Sequence, residues 1–129
     1  MKLIIRLTTA VLALPLTATA DPAMECGDAG SQVEIAECVS KAETAVSDAL
    51  ELSLSFAMSS AAELDEITQR DVAVPALEQA QSAWSAYRDG HCEYVGTTFG
   101  GGSGTRIAIT SCRMEIGRAR VRELMKFVR

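Results

Sequence analysis

Four cysteines, at positions 26, 38, 92 and 112, stand in a 129-residue chain whose first twenty residues read as an export signal. Lys2 and Arg6 make a basic start, Ala10 to Leu16 an apolar stretch, and Ala18-Thr19-Ala20 a small-x-small cleavage site. Cutting after Ala20 delivers residues 21–129 to an oxidising compartment, where cysteines in so short a chain are expected to form two disulfides. Cys26 and Cys38 lie 12 residues apart and Cys92 and Cys112 lie 20 apart, while 54 separate the inner two. Local pairs are the economical choice: 26 with 38 pins the N-terminal segment to the first helix, and 92 with 112 closes a glycine-rich loop. Four cysteines permit three connectivities, and the sequence alone selects none of them.

Other uses of these thiols fit poorly. A zinc site wants pairs of ligands separated by two to four residues, and the chain has a single histidine. His91 adjoins Cys92, but neighbours on a helix point about 100° apart, so the adjacency does not make a nucleophile and its base. Cys26 follows Pro22-Ala23-Met24-Glu25, which lacks the small, apolar context of a lipid-modified cysteine. The expected product is a periplasmic or secreted protein, not a lipoprotein, without a membrane span, and short enough to form one domain over 21–129.

The rest of the pattern has the period of a helix. From Ser31 to about Ser59, the less polar positions Ile35, Val39, Ala42, Val46, Leu50, Ser53 and Ala57 step by four and three. Ser31 and Glu34 have capping-box spacing, which sets the start. Ser59 to Val74 is polar and acidic, with Ala61 to Ile67 able to make a fourth, short helix or an ordered connection. Pro75 suits a first helical turn, and Leu77, Gln81, Trp84, Arg88, His91 and Val95 continue the stepping over about 75–95. The run from Gly96 to Gly104 is a loop, because each glycine costs about 1 kcal/mol relative to alanine inside a helix. Beyond it Ile109, Cys112, Ile116, Arg120, Leu124 and Phe127 carry the period to the C-terminus. The fold class expected is all-α, a small bundle of three main helices with the short one in addition, stapled by two disulfides.

Charge narrows the partners. Removing Lys2 and Arg6 leaves ten basic side chains against seventeen acidic ones, a net charge of −7 in place of the full chain's −5. Residues 21–71 hold twelve acids and two bases, and 113–129 six bases and two acids. The basic last helix is therefore expected to lie near the acidic first one. Overall acidity and export weigh against nucleic acid and favour a basic protein as partner. Glu63, Asp65 and Glu66 read as a solvated acidic surface rather than a hydrolytic pair, since no base, metal ligand or groove accompanies them. No cofactor is implied, and the chain reads as a binding protein, not an enzyme.

Two segments stand out as candidates for function. Phe99, Gly100, Gly101, Gly102 and Ser103 form either a flexible connection or a projecting tip that enters a partner's cleft, with Phe99 as a core anchor or an exposed interface anchor. The run lacks the lysine and the preceding strand of a phosphate-binding loop. The second segment is Gln81-x-x-Trp84-x-x-Tyr87-Arg88-Asp89-x-x-Cys92. Here Trp84 and Arg88 are one helical turn apart, so the guanidinium can stack on the indole. Such a stripe running into a disulfide is more often a fold-defining core than a ligand site. An internal Arg88 needs a carboxylate, and an acid of the first helix is the expected source.

Residues 80–92, Ala-Gln-Ser-Ala-Trp-Ser-Ala-Tyr-Arg-Asp-Gly-His-Cys, resemble the LprI-type lysozyme-inhibitor domain, a family of small exported bacterial proteins. The resemblance extends to the earlier cysteine pair, the Gly-Gly-Ser segment at 101–103, the fourth cysteine, Arg120 and Leu124, and so covers nearly all of 25–125. It departs on the first helix, where the usual Asp-x-x-Leu-Asn-x-x-Tyr is Ser47-x-x-Leu50-Glu51-x-x-Leu54, and at Gly117, where threonine is usual. The resemblance implies binding and inhibition of a lysozyme, with the loop 96–104 contributing to occlusion of its cleft. The competing expectation is a non-inhibitory periplasmic module that binds another basic protein, as a toxin neutraliser or a scaffold.

Overall fold

The structure, a computed structural model, describes residues 22–128. The export signal expected over residues 1–20 lies outside them. A short 3₁₀ helix, Pro22–Cys26, leads into α1 (Gln32–Thr68), α2 (Ala73–Thr97) and α3 (Ser103–Met125), and there is no strand among the described residues. At 1.5 Å per residue α1 is about 55 Å long and the other two about 35 Å.

Local chemistry sets the ends of α1. Ser31 is its N-cap, and its hydroxyl accepts from the Glu34 amide at 3.3 Å. The Glu34 carboxylate reaches back to the Gly30 amide at 2.7 Å, a capping box displaced by one residue. The helix does not pause near Ser59. Ala61 to Ile67, expected as a separate short helix or an ordered connection, makes up its last two turns, because alanine, glutamate and leucine are strong helix formers and no glycine or proline intervenes. Serines that would compete with the helix are absorbed by it: the Ser53 and Ser59 hydroxyls donate to the carbonyls of Ala49 and Ser55.

The turn between α1 and α2 is made by two residues. Gln69 takes the left-handed conformation (φ 54°) and ends α1. Asp65, 8% exposed, accepts from the backbone amides of Val72, Ala73 and Val74 at 2.8–3.1 Å. Those amides open α2 and have no helical acceptor of their own. The Asp65 carboxyl is therefore held below its ordinary value, first by the Val74 amide and then by that of Ala73. This corrects the reading of Asp65 as a solvated acid. Pro75 sits in the same first turn, as expected.

The helices alternate in direction, so α3 runs parallel to α1 and packs along it. Val39 clusters with Ile107 near the disulfide-bonded end, and Leu50 and Ala57 with Leu124 at the other. Met114, Leu124, Val39 and Cys92 are the largest fully buried side chains. Two small residues allow close approach. A Cβ on Gly117 would lie 2.7 Å from Cγ1 of Val46, and one on Gly96 would lie 2.6 Å from Cγ1 of Ile109. Gly96 is therefore the buried penultimate residue of α2, not the start of a loop. The loop is reduced to residues 98–102, where Gly100, Gly101 and Gly102 have φ of 71°, 101° and 84° that other residues rarely adopt.

One further expectation changes, and another is met without the pairing its charges offered: the basic α3 does lie along the acidic α1. α3 ends at Met125, and Phe127 lies beyond it, 65% exposed. The arginines of α3 also form no ion pair with α1 among the described residues. Arg118 pairs with Glu25 of the 3₁₀ helix, Arg113 with Asp89 and Glu93 of α2, and Arg120 with Glu123. Of the acids of α1, Glu34 serves the Gly30 amide, Glu43 the Ser47 hydroxyl and Asp65 the amides of the turn.

Candidate docking groove

The motif of α2 divides between two sides of the bundle. Gln81, Trp84, Arg88 and Arg120 form one unit. The Arg88 and Arg120 guanidinium carbons stand 5.1 and 5.8 Å from the centre of the Trp84 ring. Arg120, 8% exposed, donates from Nε to Gln81 Oε1 at 3.0 Å and from a terminal nitrogen to Glu123 at 2.7 Å. Arg88 is half-buried and takes its carboxylate from Asp89, its neighbour in sequence, at 3.0 Å. No acid of α1 is involved, because α1 presents Leu50, Leu54 and Ala57 at this level. These residues hold α2 against α3.

Tyr87 belongs elsewhere. It stacks on His91 with ring centroids 5.3 Å apart, and the two open a groove of about 780 Å³. Tyr87, His91, Val95 and Phe99 form one wall at four-residue steps along α2 and its exit. Met24, Gly27 and Ile35 form the other, and α3 is the floor with Ala108, Ser111, Glu115 and Ala119. Phe99 is 56% exposed at the rim, so it is not a core anchor. The glycines beyond it turn the chain into α3, where the Gly101 amide donates to the Thr105 hydroxyl at 3.1 Å. Gly102 and Ser103 border a second cleft, of about 680 Å³, between α1 and α3.

Both disulfides brace the first groove. Cys26–Cys38 ties the 3₁₀ wall to α1, and Cys92–Cys112 ties the α2 wall to the floor. Arg118 adds a bidentate ion pair from the floor helix to Glu25, one of its contacts at 2.8 Å. That pairing lowers the Glu25 carboxyl and raises the Arg118 guanidinium from their ordinary values. Cys92 is 0% exposed and disulfide-bonded, so it offers no thiolate to His91. Among the described residues no hydroxyl or thiol is hydrogen-bonded to His91.

The model of the lysozyme inhibitor LprI family matches residues 23–124. The chain belongs to the LprI family. The match takes in both disulfides, the Trp84 unit and every lining residue of the groove. An uncharacterised protein of Rhizobium meliloti (strain 1021) is 30% identical over 112 residues, 83% of this chain and 81% of that one. No solved structure matches the chain. For an LprI member, then, the motif residues are chiefly the bundle's framework, and Tyr87 is the one that faces the groove.

Sequence reading missed Ser111 and Glu115. Their signal was present in the step Gly104, Ala108, Ser111, Glu115, Ala119, which places four small residues and one glutamate on one face of α3. Reading the last helix only for its larger residues hides that face.

Proposed function

We propose that the chain is exported, loses its leader after Ala20, and acts in the periplasm or outside the cell by binding a lysozyme-type cell-wall hydrolase and covering its cleft. Family membership supports the activity, and the two disulfides fit an oxidising compartment. The single observation that carries the reading is the groove with Phe99 on its rim and both walls fixed by covalent links. A binding surface held in shape before the encounter loses less freedom on association. Many lysozymes are basic, and a net charge of −7 on residues 21–129 speeds their approach.

The catalytic carboxylates of a lysozyme lie in a cleft, and a protein need only occupy that cleft or its rim to stop wall hydrolysis. In this reading the tip from Phe99 to Gly101 enters the cleft while the groove receives the rim. No side chain of the inhibitor reacts.

Lysis of bacterial walls by a basic lysozyme tests the proposal. The disulfide-intact protein is expected to slow lysis, and a variant lacking Gly100 to Gly102 to slow it less. Equal inhibition by both removes the loop from the contact. Absence of inhibition by the intact protein, together with capture of a different basic protein from an envelope extract, favours a non-inhibitory binding module instead.

A further inference from the structure

The groove has an uneven chemistry. Apart from His91, Glu115 is its only titratable acid or base of the charged kind, and no lysine or arginine lines it. The nearest arginines along α3 are already engaged, Arg113 by Asp89 and Glu93 and Arg118 by Glu25. Glu115 is exposed and has no ion pair among the described residues. One helical turn away, Ser111 is 6% exposed and its hydroxyl has no hydrogen-bond partner. That is unlike Thr44, Ser53, Ser59, Thr68 and Thr110, each of which donates to the carbonyl four residues back. A buried hydroxyl left unpaired is unfavourable, so a ligand group that pairs with it is favoured.

We propose that the groove takes an extended segment of a protein partner, with an apolar side chain over Ala108, a backbone group hydrogen-bonded to Ser111, and a lysine or arginine on Glu115. This rests on the binding role proposed above and names what is bound. Ala108 and Glu115 are seven residues apart on α3, about 10 Å at the helix rise. A segment in the extended polyproline II conformation rises about 3.1 Å per residue with three residues per turn, so side chains three positions apart face the same way and span about that distance. The segment therefore carries its apolar and basic side chains three positions apart, with Tyr87, His91 and Phe99 along one side of it and Met24 along the other. Charge selects the cation, because Glu115 is the one carboxylate among the groove's lining residues and no lysine or arginine lines it to balance that charge.

The experiment uses ¹⁵N-labelled protein purified from the periplasm with both disulfides intact. The probes are the peptides acetyl-Leu-Gly-Ser-Arg-amide and acetyl-Leu-Gly-Ser-Glu-amide. The arginine peptide is expected to shift the amide signals of Ser111, Glu115, His91 and Phe99, and to bind roughly fivefold more tightly than the glutamate peptide. Glu115→Lys, an exposed change that spares the core, is expected to reverse that order. Ser111→Ala is expected to weaken the arginine peptide about fivefold without altering the charge preference. Shifts scattered over the surface, no shifts, or an unchanged preference in Glu115→Lys overturn the proposal. The same proteins in the wall-lysis assay separate the two readings. Lysis unaffected by a protein that binds the arginine peptide in the groove removes lysozyme as the partner and leaves the groove chemistry standing. Inhibition undiminished in Glu115→Lys, with no peptide bound, overturns the groove and leaves the inhibitor.

Discussion

Arg120 of α3 reaches across to α2 and donates its Nε–H to the side-chain oxygen of Gln81 at 3.0 Å, 39 residues earlier in the chain. The Trp84 ring lies beside the same guanidinium and Glu123 closes its other edge. A buried arginine is tolerated because each face of it has a partner.

Removing Arg120 strips Gln81 of its donor and Trp84 of its neighbour. Arg120→Met is expected to lower the unfolding free energy by about 2 kcal/mol, the scale of a hydrogen bond to a charged group. Arg120→Lys is expected to recover little, since an ammonium cannot serve Gln81 and Glu123 in the same fork. Urea unfolding followed by Trp84 fluorescence measures both. Stability unchanged in Arg120→Met would show that the contact contributes nothing.

Asp65 makes the turn between α1 and α2 sensitive to acid. Amide donors hold its folded-state value below the unfolded one of about 3.8. Its contribution is thus complete above that value and is lost as pH falls through the lower, folded-state one. Asp65→Asn is expected to melt lower than the native chain from neutral pH down to about 4, with the gap closing as pH falls further. A gap of constant size down to pH 2 contradicts this.

Gly117 is small because Val46 leaves no room. Alanine there gains up to about 1 kcal/mol of helix propensity, but overpacking against a β-branched neighbour costs about 1–3 kcal/mol. Gly117→Ala is therefore expected to destabilise the native chain and to stabilise a Val46→Ala background. The same sign in both backgrounds in a double-mutant cycle would refute the steric account.

Each disulfide closes a loop of modest length, worth about 3 kcal/mol in the chain-entropy treatment. Serine in place of Cys92 and Cys112 is expected to cost that much in equilibrium unfolding. It is also expected to raise amide exchange along 87–99, because the groove wall then loses its tie to α3. Exchange unchanged in that segment would mean that packing of Gly96 on Ile109 holds the wall without the bond.

What could be read from the linear chain was whatever depends on neighbours within a few residues or on overall composition. The period of apolar positions disclosed three helices, Ser31 and Glu34 marked the first start, and Pro75 marked the second. The spacing of the cysteines made local pairing the economical choice, and residues 80–92 with the cysteines disclosed the family. Tertiary contacts decided the rest. Ala61 to Ile67 joined α1 because nothing in it stops a helix, while Asp65 left the surface because the turn folds three amides onto it. Arg88 turned to Asp89 because α1 is apolar opposite it. Tyr87 parted from the motif that contains it, and joined Phe99, Ser111 and Glu115, because a groove is made of residues from separate segments. Such a surface exists only after helices distant in sequence have packed, and the period of each helix alone records which face is buried but not what two exposed faces enclose.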